Sequence, residues 1–419
     1  MSDDPTIKPA RATDVRTTGA RGDGQAEDAP AIQRALTESR WVVVPPGVYR
    51  IGRTLRIGSG TRLDVHPQAT LVFADGAGRD RHCHLLTNSD HDRGNENITV
   101  RGGVWNGNNP GNRRPEGKLF GEGDYTGVMI NFRNVRGLTV ADAMLCDSES
   151  YHVRCTQVER FLFEHLRFHS TCPRPNNDGV HLGGFCADGI IRHLRGLGPC
   201  APSDDLVALN ADDAIGRIEC QGKLRGPIRN VVIHDLQADQ CHSFVRLLSV
   251  DSPLETIDIS RIRGGCTACM VNMDAARRCR VPLFSDDDRP DGVGACRNIR
   301  IRDVRAFAAA PTGGPLIRLE EHVGDLLIED VTRDAARDGS PDAPTIDARH
   351  LTGHHLEIEG LTDGQLAALR GASTTAVDAA PLTGFEGLHS VAAAFDREAV
   401  LQLPSGGFRR LALTRHVDK

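Results

Sequence analysis

From about residue 54 the chain is built of short apolar clusters separated by Gly, Asn or Asp, and the clusters recur at long, regular intervals. One series is centred on Val128, Val153, Val180, Val207, Val245, Val271, Ile317 and Ile346, with intervals of 25, 27, 27, 38, 26, 46 and 29 residues. A second series alternates with it: Leu138-Thr139-Val140, Phe161-Leu162-Phe163, Gly189-Ile190-Ile191, Val231-Val232-Ile233, Ile257-Asp258-Ile259, Ile299-Arg300-Ile301, Leu326-Leu327-Ile328 and His354-His355-Leu356-Glu357-Ile358. Short strands, turn residues at the corners and a period in the twenties mark a solenoid, whose coils stack to bury one continuous aliphatic core. The fold class expected is all-β, a right-handed parallel β-helix. The 38- and 46-residue intervals imply loops inserted at the corners, and such loops commonly wall a binding cleft.

The ends of the chain break the pattern. Residues 1–13 read as a flexible leader and 14–53 as an N-terminal cap. In that cap Ala31, Ile32, Ala35 and Leu36 fall at helical spacing, Asp28 is placed as N-cap, and Pro30 suits the first turn. Residues 54–360 form the catalytic β-helix domain, and 361–419 a C-terminal cap. That cap holds a helix near Gln365–Leu369, followed by irregular segments or short strands. The Gly-, Asn- and Arg-rich stretch 101–127 reads as a loop beside the cleft, where Trp105 either stacks on a sugar ring or packs in a coil corner. Arg113, Arg114 and Lys118 read as a solvated basic face.

Composition narrows the partners. A hydrophobic fraction of 39% supplies a sizeable core, while 4% aromatics and 44 glycines suit many turns around a narrow aliphatic column. A net charge of −6 argues against nucleic acid and anionic membranes as partners, and no apolar run is long enough to span a bilayer. Met1-Ser2-Asp3-Asp4-Pro5 has neither the basic nor the apolar region of a secretory signal. The expected location is therefore cytoplasmic as written, or secreted if the N-terminus has been trimmed. The twelve cysteines lack a metal-type pattern, Cys266 and Cys269 included, and read as buried free thiols.

The candidate chemistry lies between Asn176 and Asp213. Asp178 precedes Val180 by two residues and Asp205 precedes Val207 by two, so on adjacent coils the two carboxylates stack about 5 Å apart. Asp204 sits one residue earlier, at a turn. Three acids thus converge on one patch, and paired carboxylates are what glycoside hydrolysis requires. Asp212-Asp213 reads as a turn. His181 falls in the same row as Arg246, His242 lies at a turn like that of Asp204, and His152 sits one coil earlier beside Tyr151. Asn272 and Asp274 continue the outward positions on the next coil.

Two resemblances add to this. The opening Gly22-Asp23-Gly24, Asp28, Ala31-Ile32-Gln33 and Val42-Val43-Val44-Pro45-Pro46-Gly47-Val48-Tyr49 resembles the N-terminal cap of pectate-lyase-like β-helices and phage tailspikes. The stretch Asn176 to Leu248 resembles glycoside hydrolase family 28, the polygalacturonase group. Asn176-Asn177-Asp178-Gly179 stands for the first motif of that group, Ser203-Asp204-Asp205 for the second, and Phe244-Val245-Arg246-Leu247-Leu248 for the last. The resemblance implies an inverting hydrolase in which Asp204 is the general acid and Asp178 with Asp205 activates water. It implies substrate contacts from His181, Arg246, His242, Asn177, His152 and Asn272.

The chain departs from that family where Leu248 replaces a lysine and where Ile218–Lys223 replaces a Gly-His-Gly motif. The departures point to a neutral or mixed oligosaccharide rather than a pure polyuronate. No cofactor or metal is expected for hydrolysis. The alternatives are a polysaccharide lyase or epimerase, where Ca²⁺ has a place, and a tailspike-like glycan-binding or depolymerising protein. The expected partner is a carbohydrate, and the expected assembly a monomer or trimer.

Overall fold

Short strands that each turn one or two apolar residues inward become a core only by stacking, and the computed structural model shows that stacking directly. It describes residues 12–115, 123–213, 220–274, 293–311, 314–349, 351, 353–372, 377–395, 401–403 and 405–415. In the first row of strands Val153, Val180, Val207, Val245, Val271, Ile317 and Ile346 are in parallel register, one above the next. All are fully buried. Each such side chain contributes roughly 1.5–3 kcal/mol on leaving water. The periodicity misplaced one rung, because Ile130 rather than Val128 pairs with Val153.

The second row stacks as the pattern predicts from Val140 through Phe163, Ile191, Ile233, Ile259, Ile301 and Ile328. Its expected last rung does not follow. Strand Phe408–Arg415 inserts antiparallel between Leu326–Arg333 and His354–Thr362, and Leu388–Phe395 then pairs with the far edge of His354–Thr362. The end of the chain therefore returns into the stack as antiparallel strands. The predicted helix is present as Asp363–Ala372.

A third row had no counterpart in the pattern. It runs through Trp105, Leu145, Phe168, Gly196, Ala238, Gly264 and Ala306. Its inward side chains shrink along the stack, from Trp and Phe to Gly and Ala. Trp105 is fully buried, and its indole N–H donates to the Gly102 carbonyl at 3.0 Å. It is a core residue on strand Asn95–Asn106, not part of a loop or a sugar platform. Gly102 has φ +82°, and a Cβ there would meet the Val65 carbonyl oxygen at 2.1 Å, so only glycine fits.

At the other end helix Ala29–Glu38 buries Ala31, Ile32, Ala35 and Leu36 against the first strands. Asp28 sits at the N-cap position without capping the helix. Its carboxylate instead accepts the backbone N–H groups of Arg21 and Gly22 at 2.7 and 3.1 Å. Of the expected leader, residues 1–11 lie outside the described residues, and Thr13 already pairs with Val42.

Candidate functional site

The residue that follows each inward position of the first row lies on the opposite face of its strand. These residues form a second column: Asn131, Arg154, His181, Ala208, Arg246, Asn272, Arg318 and Asp347. Nearly every member is polar or charged. The exception is Ala208, and beside it the acids gather.

Asp178 and Asp205 stand at the starts of their strands on adjacent coils. The Gly179 N–H donates to the Asp205 carbonyl at 2.9 Å, locking the two turns together. Asp204 lies at the corner, accepts the Asn176 N–H at 3.1 Å and lies 3.2 Å from His242 Nδ1. The same ring nitrogen is 3.7 Å from Asp205. Asp178 and Asp205 are buried, whereas Asp204 keeps 20% of its side chain exposed. The structure therefore brings the three predicted acids together and makes Asp204 the most accessible.

Their environment sets their charge. Burial pushes the Asp178 carboxyl well above the usual range, and the charges of Asp204 and Asp205 push it further. Burial and Asp204 also raise Asp205, against the opposing pull of His242 and Arg246. At His242 burial disfavours the cation, but the hydrogen bonds to Asp204 and Asp205 outweigh it and raise the pKa to about 10. Asp178 and Asp205, buried and crowded by Asp204, hold on to protons that isolated carboxylates would release.

His181 is placed differently from a substrate contact. It is fully buried, with Nδ1 2.5 Å from Asp178 Oδ2 and Nε2 2.9 Å from Asp213 Oδ2. The Tyr151 ring stacks on it at a centroid distance of 3.8 Å. The buried Lys223 ammonium closes the group by pairing with Asp213 and contacting His181. His181 thus supports Asp178 from behind.

Two further predicted contacts are corrected in the same way. Asn177 is fully buried, and its amide donates to the Ser148 and Ser150 carbonyls at 2.7 and 3.0 Å, so it ties coils together. His152 is fully buried against the edge of Phe168, with Nδ1 2.8 Å from the Asp178 carbonyl oxygen. Burial lowers its pKa to about 4, which keeps it neutral. Arg246 is ion-paired with Asp274 at 2.8 Å and stands in the column directly beside Asn272, which is buried.

Sequence reasoning missed five participants. Asp213 was read as a turn residue together with Asp212, and only Asp212 behaves so, accepting the N–H groups of Val250, Asp251 and Ser252 at 2.8, 2.8 and 2.6 Å. Asp213 and Lys223 come from the insertion announced by the 38-residue interval. Residues 214–219, which include part of the segment standing for Gly-His-Gly, lie outside the described residues. Glu149 and Arg174 form the floor of the neighbouring turn at 2.8 Å. Arg114 joins them, is 7% exposed and belongs to no solvated face. Lys118 lies outside the described residues.

Among the described residues one group has the spacing to hold a metal ion: Asp204, Asp205 and His242, whose candidate atoms lie within 4.8 Å of one another. One nitrogen and two carboxylates suit Zn²⁺ better than Ca²⁺, which favours an all-oxygen shell. A proton on His242 Nδ1, which faces Asp204 at 3.2 Å, competes directly with any ion. The described cysteines are free thiols.

Comparison with known proteins bears on the fold. Residues 12–102 match the family model described as rhamnogalacturonase A/epimerase, pectate lyase-like. The chain has the pectate-lyase-like fold. Among solved structures, a hyperthermoactive exopolygalacturonase from Thermotoga maritima is similar with a TM-score of 0.54 and 17% identity, covering 81% of this chain and 90% of that one. PfbA, a surface adhesin of Streptococcus pneumoniae, is similar with a TM-score of 0.52 and 14% identity, covering 80% and 77%. The pre-neck appendage protein of Bacillus phage phi29 is 28% identical over 187 residues, 43% of this chain. The match spans 21% of that phage protein's length. The pectate-lyase-like scaffold thus serves an enzyme, an adhesin and a phage appendage, so the choice among activities rests on the site.

Proposed function

We propose that the protein hydrolyses a glycosidic bond in a poly- or oligosaccharide with inversion, using Asp178, Asp204 and Asp205. The observation that carries this is the convergence of three carboxyls, two buried and one accessible, at the one small position in a polar column. In this reading Asp204, the exposed member, protonates the leaving oxygen. Asp178 and Asp205 lie deeper and orient the attacking water, and whichever of them has passed its proton to Asp204 takes the proton of that water. The sugar displaces His242 from Asp204, and the proton that burial keeps on the cluster then resides on the acid that needs it. His181, Asp213 and Lys223 act behind Asp178 as positioning residues. Arg246 borders the site and takes part in substrate binding when its pairing with Asp274 loosens.

The test is the anomer first released, read by proton NMR on an active glycan. Inversion is the expected outcome, and retention contradicts it, because a retaining enzyme forms a covalent intermediate on one carboxylate. A second reading, a lyase or epimerase on the same scaffold, draws on the metal-compatible spacing of Asp204, Asp205 and His242. It requires a base beside the sugar's α-proton and yields either an unsaturated or an epimerised product. A third, a glycan-binding appendage role, draws on the likeness to the phage protein. It predicts binding without turnover.

A further inference from the structure

A second cleft lies on a different row of strands from Asp178, Asp204 and Asp205. It encloses about 830 Å³, and its lining includes Pro67, His165, Arg167, His193, Arg195 and Gln237. Arg167 and Arg195 are in Cα register on adjacent coils, flanking the inward Phe168 and Gly196 of the third row. Their neighbours His165 and His193 are both exposed and stack on one another at 4.7 Å with their rings 5° from parallel.

The charges in this cleft do not cancel. The acids on its wall already have partners: Asp142 pairs with Arg101 at 2.5 Å and Asp235 with Arg261 at 2.7 Å. Arg263 is likewise paired, with Asp303 at 2.6 Å. Arg167 and Arg195 have no carboxylate within ion-pair distance among the described residues. The cleft therefore presents two guanidinium groups one coil apart on a protein whose overall charge is negative.

We propose that this cleft is a separate binding site for an acidic sugar chain, with carboxylates of successive uronate units seated on Arg167 and Arg195. Guanidinium groups bind carboxylates through paired N–H donors, which fixes orientation as well as charge. Neighbouring coils are about 4.8 Å apart, a spacing comparable to the length of one sugar unit, so the two arginines can read consecutive units. Pro67 on the cleft wall offers an apolar surface to the face of a pyranose ring. The proposal does not rest on the hydrolase reading. It accommodates a mixed glycan whose acidic part is held here while another part reaches the carboxyl site.

The test is isothermal titration with oligogalacturonate and with its fully methyl-esterified form. It is run on the full chain and on Arg167→Gln/Arg195→Gln, Asp204→Asn and Arg246→Gln variants at low and high salt. The expected result is binding of the unesterified chain that falls at least tenfold in the double arginine variant and weakens with salt. It survives both variants of the carboxyl site and is absent for the ester. Both arginines are exposed, and the double variant's thermal unfolding should match that of the parent protein. The proposal is overturned if unesterified oligogalacturonate does not bind, if the ester binds equally well, or if the double variant binds as the parent does. Binding lost only with Arg246→Gln assigns the acidic chain to the carboxyl site instead, and equal affinity for single-stranded DNA shows a general polyanion surface; either result overturns it.

Discussion

His181 Nδ1 lies 2.5 Å from Asp178 Oδ2, and both groups are buried. A histidine so placed cannot touch a sugar, yet it fixes the orientation and proton affinity of the carboxyl it touches. Replacing it with alanine should reduce kcat by about a hundredfold, a typical value for mispositioned acid–base chemistry, with little change in KM. A pH–rate profile shifted relative to the parent accompanies that loss. A His181→Ala enzyme with unaltered kcat and pH profile means that the contact is structural only.

Asp204→Asn keeps shape and turn contacts while removing the acid. Activity should fall by roughly a thousandfold or more, within the range for loss of a general acid, while thermal unfolding changes little. Leaving groups that need no protonation should recover much of the rate. Equal losses on activated and unactivated leaving groups would place Asp204 in another role.

The raised pKa of Asp178 has a consequence for stability. The folded protein holds this proton more tightly than the unfolded chain does. The resulting stabilisation is complete below the ordinary carboxylate value of about 4 and is lost as pH rises through the raised value. Asp178→Asn removes that dependence. In urea unfolding at a series of pH values, the variant should gain on the parent protein as pH increases. Parallel stability curves contradict the assignment. His242 behaves with the same sign, its contribution falling between about 6.5 and about 10.

Lys223 and Asp213 form a buried ion pair. Lys223→Met leaves Asp213 uncompensated and should cost about 3–5 kcal/mol, the usual penalty for breaking a buried pair from one side. Adding Asp213→Asn should restore part of it, so that the double variant is more stable than the sum of the single losses. Strict additivity in urea unfolding shows that the pair is not coupled.

Asn177→Ala removes the amide that serves two buried carbonyls, those of Ser148 and Ser150. Asn109 still donates to the Ser148 carbonyl at 3.2 Å, so the Ser150 carbonyl is the one deprived; an unsatisfied buried acceptor costs about 1–3 kcal/mol, and the loss should appear in the unfolding midpoint. Substrate affinity measured on the folded variant should change far less than it does for a residue lining the site.

The sequence exposed the parts of the molecule that carry a period. Val180 and Val207 fall in register as their 27-residue interval predicts, and that register alone brings Asp178 beside Asp205. The third row stayed hidden because each rung turns a single residue inward, as Phe168 does in Arg167-Phe168-His169, and several rungs lie on strands that run on from the second row without a break. With no apolar run, no period shows. Short strands were expected near the C-terminus, but the return of Phe408–Arg415 into the stack was not, because antiparallel pairing across some 80 residues leaves no local signal.

At the site, sequence spacing located the acids but not the depth of their neighbours. His152, Asn177 and His181 have polar side chains on strands or turns, which reads as outward. Loops from elsewhere cover them, and hydrogen bonds to Asp178 and to the Ser148 and Ser150 carbonyls satisfy them. Lys223 entered unseen because it stands on an insertion whose length was visible and whose path was not.

The most direct test of the account is a digest of a glycan panel by the parent protein and by Asp204→Asn, read for new reducing ends and for the ultraviolet absorbance of unsaturated uronates. The account predicts reducing ends without absorbance from at least one glycan, and their loss in the variant. Absorbance that persists in Asp204→Asn would contradict it and move the chemistry from the carboxyl cluster to a base that abstracts a sugar proton.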